Sequence, residues 1–110
     1  MTQDLIDTSV FEDLAEAMGD DFAAELLETF LGDAPNMFGA LTQAISDGDA
    51  DAFRRAAHSI KSNAQTFGAT QLADEARALE VSGTIDPEAA QALSTTFEAS
   101  ATALKGLVDG

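Results

Sequence analysis

Cysteine, tryptophan and tyrosine are absent from this 110-residue sequence, and basic residues are scarce. Without cysteine, neither a disulfide nor a thiolate metal site can form. Without Trp or Tyr, stacking platforms for nucleotide bases are limited to seven phenylalanines. Five Lys and Arg stand against twenty Asp and Glu, a formal charge of −15. Such a chain is repelled by nucleic acid and by anionic membrane surfaces, both of which are bound by clustered cations. Self-repulsion favours a monomer. The opening Met1-Thr2-Gln3-Asp4 has neither the basic nor the apolar stretch of a signal peptide. No apolar run approaches the roughly 18 residues of a membrane span. The expectation is one soluble cytoplasmic domain over residues 1–110.

What remains is rich in Ala, Leu, Glu and Gln, with only Pro35 and Pro87 as breakers and no two-residue alternation of the kind strands show. The chain reads as all-α. Ser9 and Glu12 have capping-box spacing and open a first helix to Met18, stopped by Gly19. Asp20 caps a second helix. Its stripe is Phe22, Leu26, Phe30, Met37, Leu41 and Ile45, widened by Leu27, Leu31, Phe38 and Ala44. The stripe keeps phase across Pro35, which predicts one long kinked helix to about Asp47 rather than a break at Gly32-Asp33. Asp49 caps a third helix over Ala50 to Phe67 with Phe53, Ala56, Ala57, Ile60, Ala64 and Phe67 inward. A fourth, about Thr70 to Val81, buries Leu72, Ala76 and Leu79. Asp86-Pro87 starts the last helix, with Ala90, Leu93, Phe97, Ala101, Leu104 and Val108 on one face. Connections this short predict an antiparallel up-down four-helix bundle with a short N-terminal capping helix.

The third helix carries the only histidine. At about 100° per residue, His58 points roughly 145° away from the centre of the apolar face. Arg54, Lys61, Ser62 and Gln65 share its side, with Arg55 at the edge. A core histidine is thereby excluded, while on periodicity alone a plain surface histidine remains an alternative. Three of the five basic residues nonetheless fall within eight positions of sequence around His58, a cationic island in an acidic chain. An imidazole nitrogen is a competent nucleophile near neutral pH. A phosphoryl group on it would bring about two negative charges, which Lys61 and the arginines can screen and Ser62 can hydrogen-bond. The second ring nitrogen needs an acceptor to fix the tautomer. No evident carboxylate cluster offers Mg²⁺ ligands, so further catalytic parts would come from a partner.

The segment from Phe53 to Glu80 resembles the histidine-containing phosphotransfer (HPt) family. The matching residues are Ala57-His58, Ile60-Lys61-Ser62, Ala64, Gly68-Ala69 and Leu79-Glu80, preceded by Ala40-Leu41, Ala44-Ile45 and Gly48-Asp49. The motif covers about a quarter of the chain and the helical framework nearly all of it. The resemblance implies that His58 takes a phosphoryl group on its solvent-facing nitrogen and that Lys61 stabilises the added charge. It implies that Glu80, 22 residues on, accepts a hydrogen bond from the other ring nitrogen. Ser62 stands where a small residue lets a partner approach, and Gln65, Arg54 and Arg55 flank the site. The implied partners are receiver domains of hybrid histidine kinases and response regulators, with Mg²⁺ carried by the receiver and no cofactor of the chain's own. The first helix and nearby apolar residues are the implied docking surface. No kinase ATP-binding domain accompanies the bundle, so autonomous kinase activity is not expected.

Two rivals fail on spacing. Counting a calcium loop from Asp47, the sixth and twelfth places hold Ala52 and His58 instead of Gly and Glu. An acyl carrier needs an Asp-Ser-Leu attachment site, which does not occur. A helical module that docks receivers or kinases without carrying phosphate would use the same surface, and the combination of His58, Lys61 and Glu80 favours the carrier.

Overall fold

The computed structural model describes residues 5–109; Met1–Asp4, whose sequence carries no signal-peptide features, lie outside them. The described residues form five helices and no strand: α1 Thr8–Met18, α2 Asp20–Asp47, α3 Ala50–Phe67, α4 Thr70–Ser82 and α5 Pro87–Asp109. The helices bundle with α2 on α3, α3 on α4, α4 on α5 and α5 back on α2, while α1 rests against α2 and α3.

All six residues expected on the inner face of α3 are buried: Phe53, Ala56, Ala57, Ile60, Ala64 and Phe67. Phe67 stacks on Phe30 of α2 with ring centroids 5.3 Å apart, and Phe30 meets Phe97 of α5 edge-on at 5.8 Å. Three helices are thus joined through one aromatic contact chain, in the geometries that aromatic quadrupoles favour. Leu72, Leu93 and Leu104 are fully enclosed around it. The buried Ser100 hydroxyl donates to the Thr96 carbonyl at 2.7 Å, so its burial leaves no hydroxyl proton without a partner.

The helix ends follow local chemistry, with two corrections. The N-cap of α1 is Asp7, not the Ser9–Glu12 box: Asp7 accepts from the Ser9 backbone N–H at 3.1 Å and from its hydroxyl at 2.6 Å. A carboxylate two residues earlier offers both acceptor and negative charge to the helix start, which a hydroxyl cannot match. At α2 the cap position is Gly19, with no side-chain cap, and Asp20 is already the first helical residue. Asp20 and Asp21 therefore complement the dipole of α2 without capping it. Asp49 and Asp86 cap α3 and α5 as expected, accepting from Ala52 N and Ala89 N at 3.0 Å each.

α2 runs unbroken through Pro35, which stands on the exposed side, so the carbonyl of Leu31 that loses its helical donor is open to water. Its inner face departs from expectation near the start. Ala23 and Leu27 are buried, whereas Phe22 is 42% exposed. Small Ala23 permits a close helix approach that Phe22 would block, so the face turns by one residue there. Val108, expected inward on α5, is also left exposed near the end of its helix.

The link from α3 to α4 positions the site. Gly68 adopts φ +77°, and its N–H and that of Ala69 bond back to Gln65 O and Ala64 O at 3.3 and 2.9 Å. This left-handed ending turns the chain within two residues and sends α4 back along α3.

Candidate functional site

His58 stands on the exposed side of α3, its side chain 55% accessible. It lies ten positions before Gly68, and Glu80 twelve after, so the reversal at Gly68 returns Glu80 to the level of His58. The Glu80 carboxylate is shared. Oε2 lies 2.7 Å from His58 Nδ1, and Oε1 lies 2.7 Å from Lys61 Nζ. Lys61 is one turn beyond His58 on α3, so a single carboxylate from α4 ties two consecutive turns of α3 together.

Lys61 and Glu80 are each only 19% exposed at the side chain, so this ion pair is partly shielded from water. The hydrogen bond from Lys61 is the largest influence on Glu80 and holds its carboxyl below the usual glutamate range; burial opposes this, and the His58 contact adds to it. Glu80 is thus ionised near neutral pH and has no proton to give. The hydrogen in the 2.7 Å contact belongs to His58 Nδ1, which donates. Nε2 of the neutral ring then carries its lone pair outward, where it can attack an electrophile.

The flanking residues divide. Arg54 and Arg55 both reach back to Asp51, at 2.7 and 3.2 Å, two turns before His58. They hold the Asp51 carboxyl below its ordinary range, chiefly through the Arg54 hydrogen bond and then the Arg55 charge. Ser62 and Gln65 lie exposed on the following turns, with no side-chain hydrogen bond to the ring among the described residues. His58, Lys61 and Glu80 are therefore brought together, while the two arginines are drawn to a carboxylate of their own. Asp51 is not among the residues that the sequence pattern singles out. Its i+3 and i+4 spacing to Arg54 and Arg55 was the signal that would have found it. Among the described residues no three His, Asp or Glu side chains gather as a metal site.

This fold and site define a small helical protein that carries one oriented, solvent-exposed histidine. The family model of the Hpt domain matches residues 25–106. The phosphorelay protein LuxU of Vibrio harveyi is 30% identical over 80 residues, covering 73% of this chain and 70% of LuxU. The crystal structure of histidine-containing phosphotransfer protein B (HptB) from Pseudomonas aeruginosa superposes with a TM-score of 0.89. It is 28% identical and covers 98% of this chain and 97% of that one. The chain belongs to the Hpt domain family and is a histidine phosphotransfer protein of phosphorelay signalling. Its partners are accordingly the kinases and response regulators of such a relay.

Proposed function

We propose that His58 is the phosphoacceptor and that it exchanges its phosphoryl group with aspartates of receiver domains. The observation that carries this reading is the 2.7 Å contact of His58 Nδ1 with Glu80. It keeps the proton on Nδ1 and the lone pair on the exposed Nε2. In the forward step Nε2 attacks the phosphorus of a receiver aspartyl phosphate. The P–N bond forms as the P–O bond breaks, and the aspartate leaves as a carboxylate with the electron pair. The Nδ1 proton stays on the ring, where Glu80 stabilises the positive charge it gains. The reverse step returns the group to another receiver.

Lys61 screens the phosphoryl charge from its position beside Glu80. Small Ser62 leaves room for the receiver's active site, and Gln65 borders that approach. Arg54 and Arg55 form the outer part of the same cationic edge. Mg²⁺ and most of the catalysis come from the receiver, and no cofactor resides on this chain. The carrier acts as a cytoplasmic monomer, a single domain over residues 1–110. Its framework is an antiparallel up-down four-helix bundle of α2–α5 capped by α1. Among the described residues no helix is long and apolar enough to cross a membrane.

The test is to mix the protein with its cognate receiver charged with a radiolabelled phosphoryl group. The expected product is an acid-labile, alkali-stable adduct that His58→Gln does not form. Labelling of His58→Gln would refute the assignment. Absence of transfer to the unaltered protein from every cognate receiver would replace it with a docking module that carries no phosphate.

A further inference from the structure

The five cations of this chain are not equivalent once folded. Arg54 and Arg55 are engaged by Asp51, and Lys61 by Glu80. Among the described residues that leaves Arg77 and Lys105 without an ion pair. Lys105 belongs to α5 and borders a groove with Leu27, Leu31 and Val108, away from the histidine. Arg77 belongs to α4 and is exposed three residues before Glu80.

That spacing places Arg77 on the same side of α4 as Glu80 and about 4.5 Å along the axis from it. The inward direction of α4 is set by Leu72, Ala73, Ala76 and Leu79. Relative to that direction, Glu80 lies at the edge facing α3 and Arg77 lies further out on the same edge. Because α4 runs back along α3, a step from Glu80 toward Arg77 is a step from His58 toward Lys61 and Ser62. Glu80 itself contacts both His58 and Lys61 at 2.7 Å, which fixes this register. Arg77 is therefore placed on the outer rim of the crevice between α3 and α4, near the level of Lys61. Among the described residues its guanidinium has no carboxylate to abandon before it can turn to a new anion. A planar fork with five donors suits a tetrahedral phosphoryl group better than a lysine already held by a glutamate.

We propose that Arg77 is a phosphoryl-binding residue of this site, reaching across from α4 to hold the phosphoryl oxygens on His58 Nε2. This rests on His58 being the phosphoacceptor. Lys61 then shares its charge between Glu80 and the phosphoryl group, and Arg54 and Arg55, tied to Asp51, stay at the outer edge.

The experiment compares Arg77→Gln, Arg77→Lys and Lys105→Gln with the unaltered protein. Phosphoramidate, which donates a phosphoryl group without a receiver, loads His58, and the ³¹P resonance of each isolated phosphoprotein is recorded. Transfer from a phosphorylated cognate receiver is then timed at saturating receiver. Arg77→Gln is expected to move the ³¹P resonance and to slow transfer about tenfold, the loss of one charge-assisted contact. Arg77→Lys should recover most of the rate. Lys105→Gln, on α5 and outside the site, should stay within about twofold. Because the ³¹P measurement is made without a partner, an arginine that served only docking or folding would leave it unmoved. An unchanged resonance and rate in Arg77→Gln, or an equal loss in Lys105→Gln, overturns the proposal. If the unaltered protein takes no label at His58 from either donor, the phosphoacceptor assignment itself fails, an outcome separate from any difference between the variants.

Discussion

Glu80 Oε2 lies 2.7 Å from His58 Nδ1 although 22 positions of sequence separate them. The other oxygen of the same carboxylate holds Lys61 at 2.7 Å. The histidine is thus oriented from a neighbouring helix, and its orienter is in turn fixed by the next turn of the histidine's own helix. Such a closed set of contacts restricts ring rotation and selects one tautomer without burying the ring.

Removing the orienter should free the tautomer. In Glu80→Ala, ¹⁵N spectra of the imidazole are expected to change from a predominantly Nδ1–H ring to a mixture of both tautomers. Transfer from a phosphorylated receiver should slow by about 10- to 100-fold, the loss of a hydrogen bond to a charged group. The helical circular dichroism should persist, since Glu80 is no part of the apolar core. An unaltered tautomer ratio and rate would remove Glu80 from the mechanism.

The depressed Glu80 carboxyl makes a prediction about acid stability. A carboxyl that ionises more readily in the folded chain binds fewer protons there than when unfolded. Its contribution is complete above the ordinary glutamate value of 4.5 and disappears as the pH falls through the lower folded value. Thermal melts of the protein and of Glu80→Gln should therefore differ most near neutral pH and converge in strong acid. Lys61 is the first cause of the depression, so Lys61→Met should move the Glu80 titration upward, as read from its side-chain ¹³C shift. A difference between the two melts that widened on acidification would contradict the ion pair.

Gly68 is expected to resist substitution. A Cβ there would lie 2.5 Å from the Asp7 carbonyl and 2.8 Å from Val10 Cβ, at φ +77°. The same glycine accepts the Asp7 N–H at 2.7 Å, so α1 is seated directly on the end of α3. Gly68→Ala combines left-handed strain with a backbone clash and should cost about 2–4 kcal/mol. Urea unfolding measures this, and amide exchange should show α1 loosening first. A loss below about 0.5 kcal/mol would mean that α1 can shift freely.

Much of this was written along the chain. The inner face of α3 follows from spacing because a helix with one wet side must bury the other. The aspartates at 49 and 86 and the glycines at 48 and 68 mark helix ends through interactions that reach no further than a turn. The outward direction of His58 is the complement of that same face. The start of α2 was less legible. Which of Phe22 and Ala23 turns inward depends on how closely a neighbouring helix approaches, and hydrophobicity alone favours the larger side chain. The cap of α1 is ambiguous in sequence because two local solutions, Asp7 and Ser9, compete within three residues.

Charge was the least legible property. Sequence counts place Arg54, Arg55 and Lys61 around His58, but a count does not say which cation is already held by a carboxylate. By itself, the sequence determined the helices, their inward faces, and one exposed histidine with lysine and glutamate at family spacing. These follow from period and local hydrogen bonding. Only the tertiary structure decided the rest. It brought Glu80 to the ring, gave Lys61 to Glu80 and Arg54 and Arg55 to Asp51, and among the described residues left Arg77 of α4 without an ion pair. Those pairings act between turns and across helices, at distances that packing alone sets.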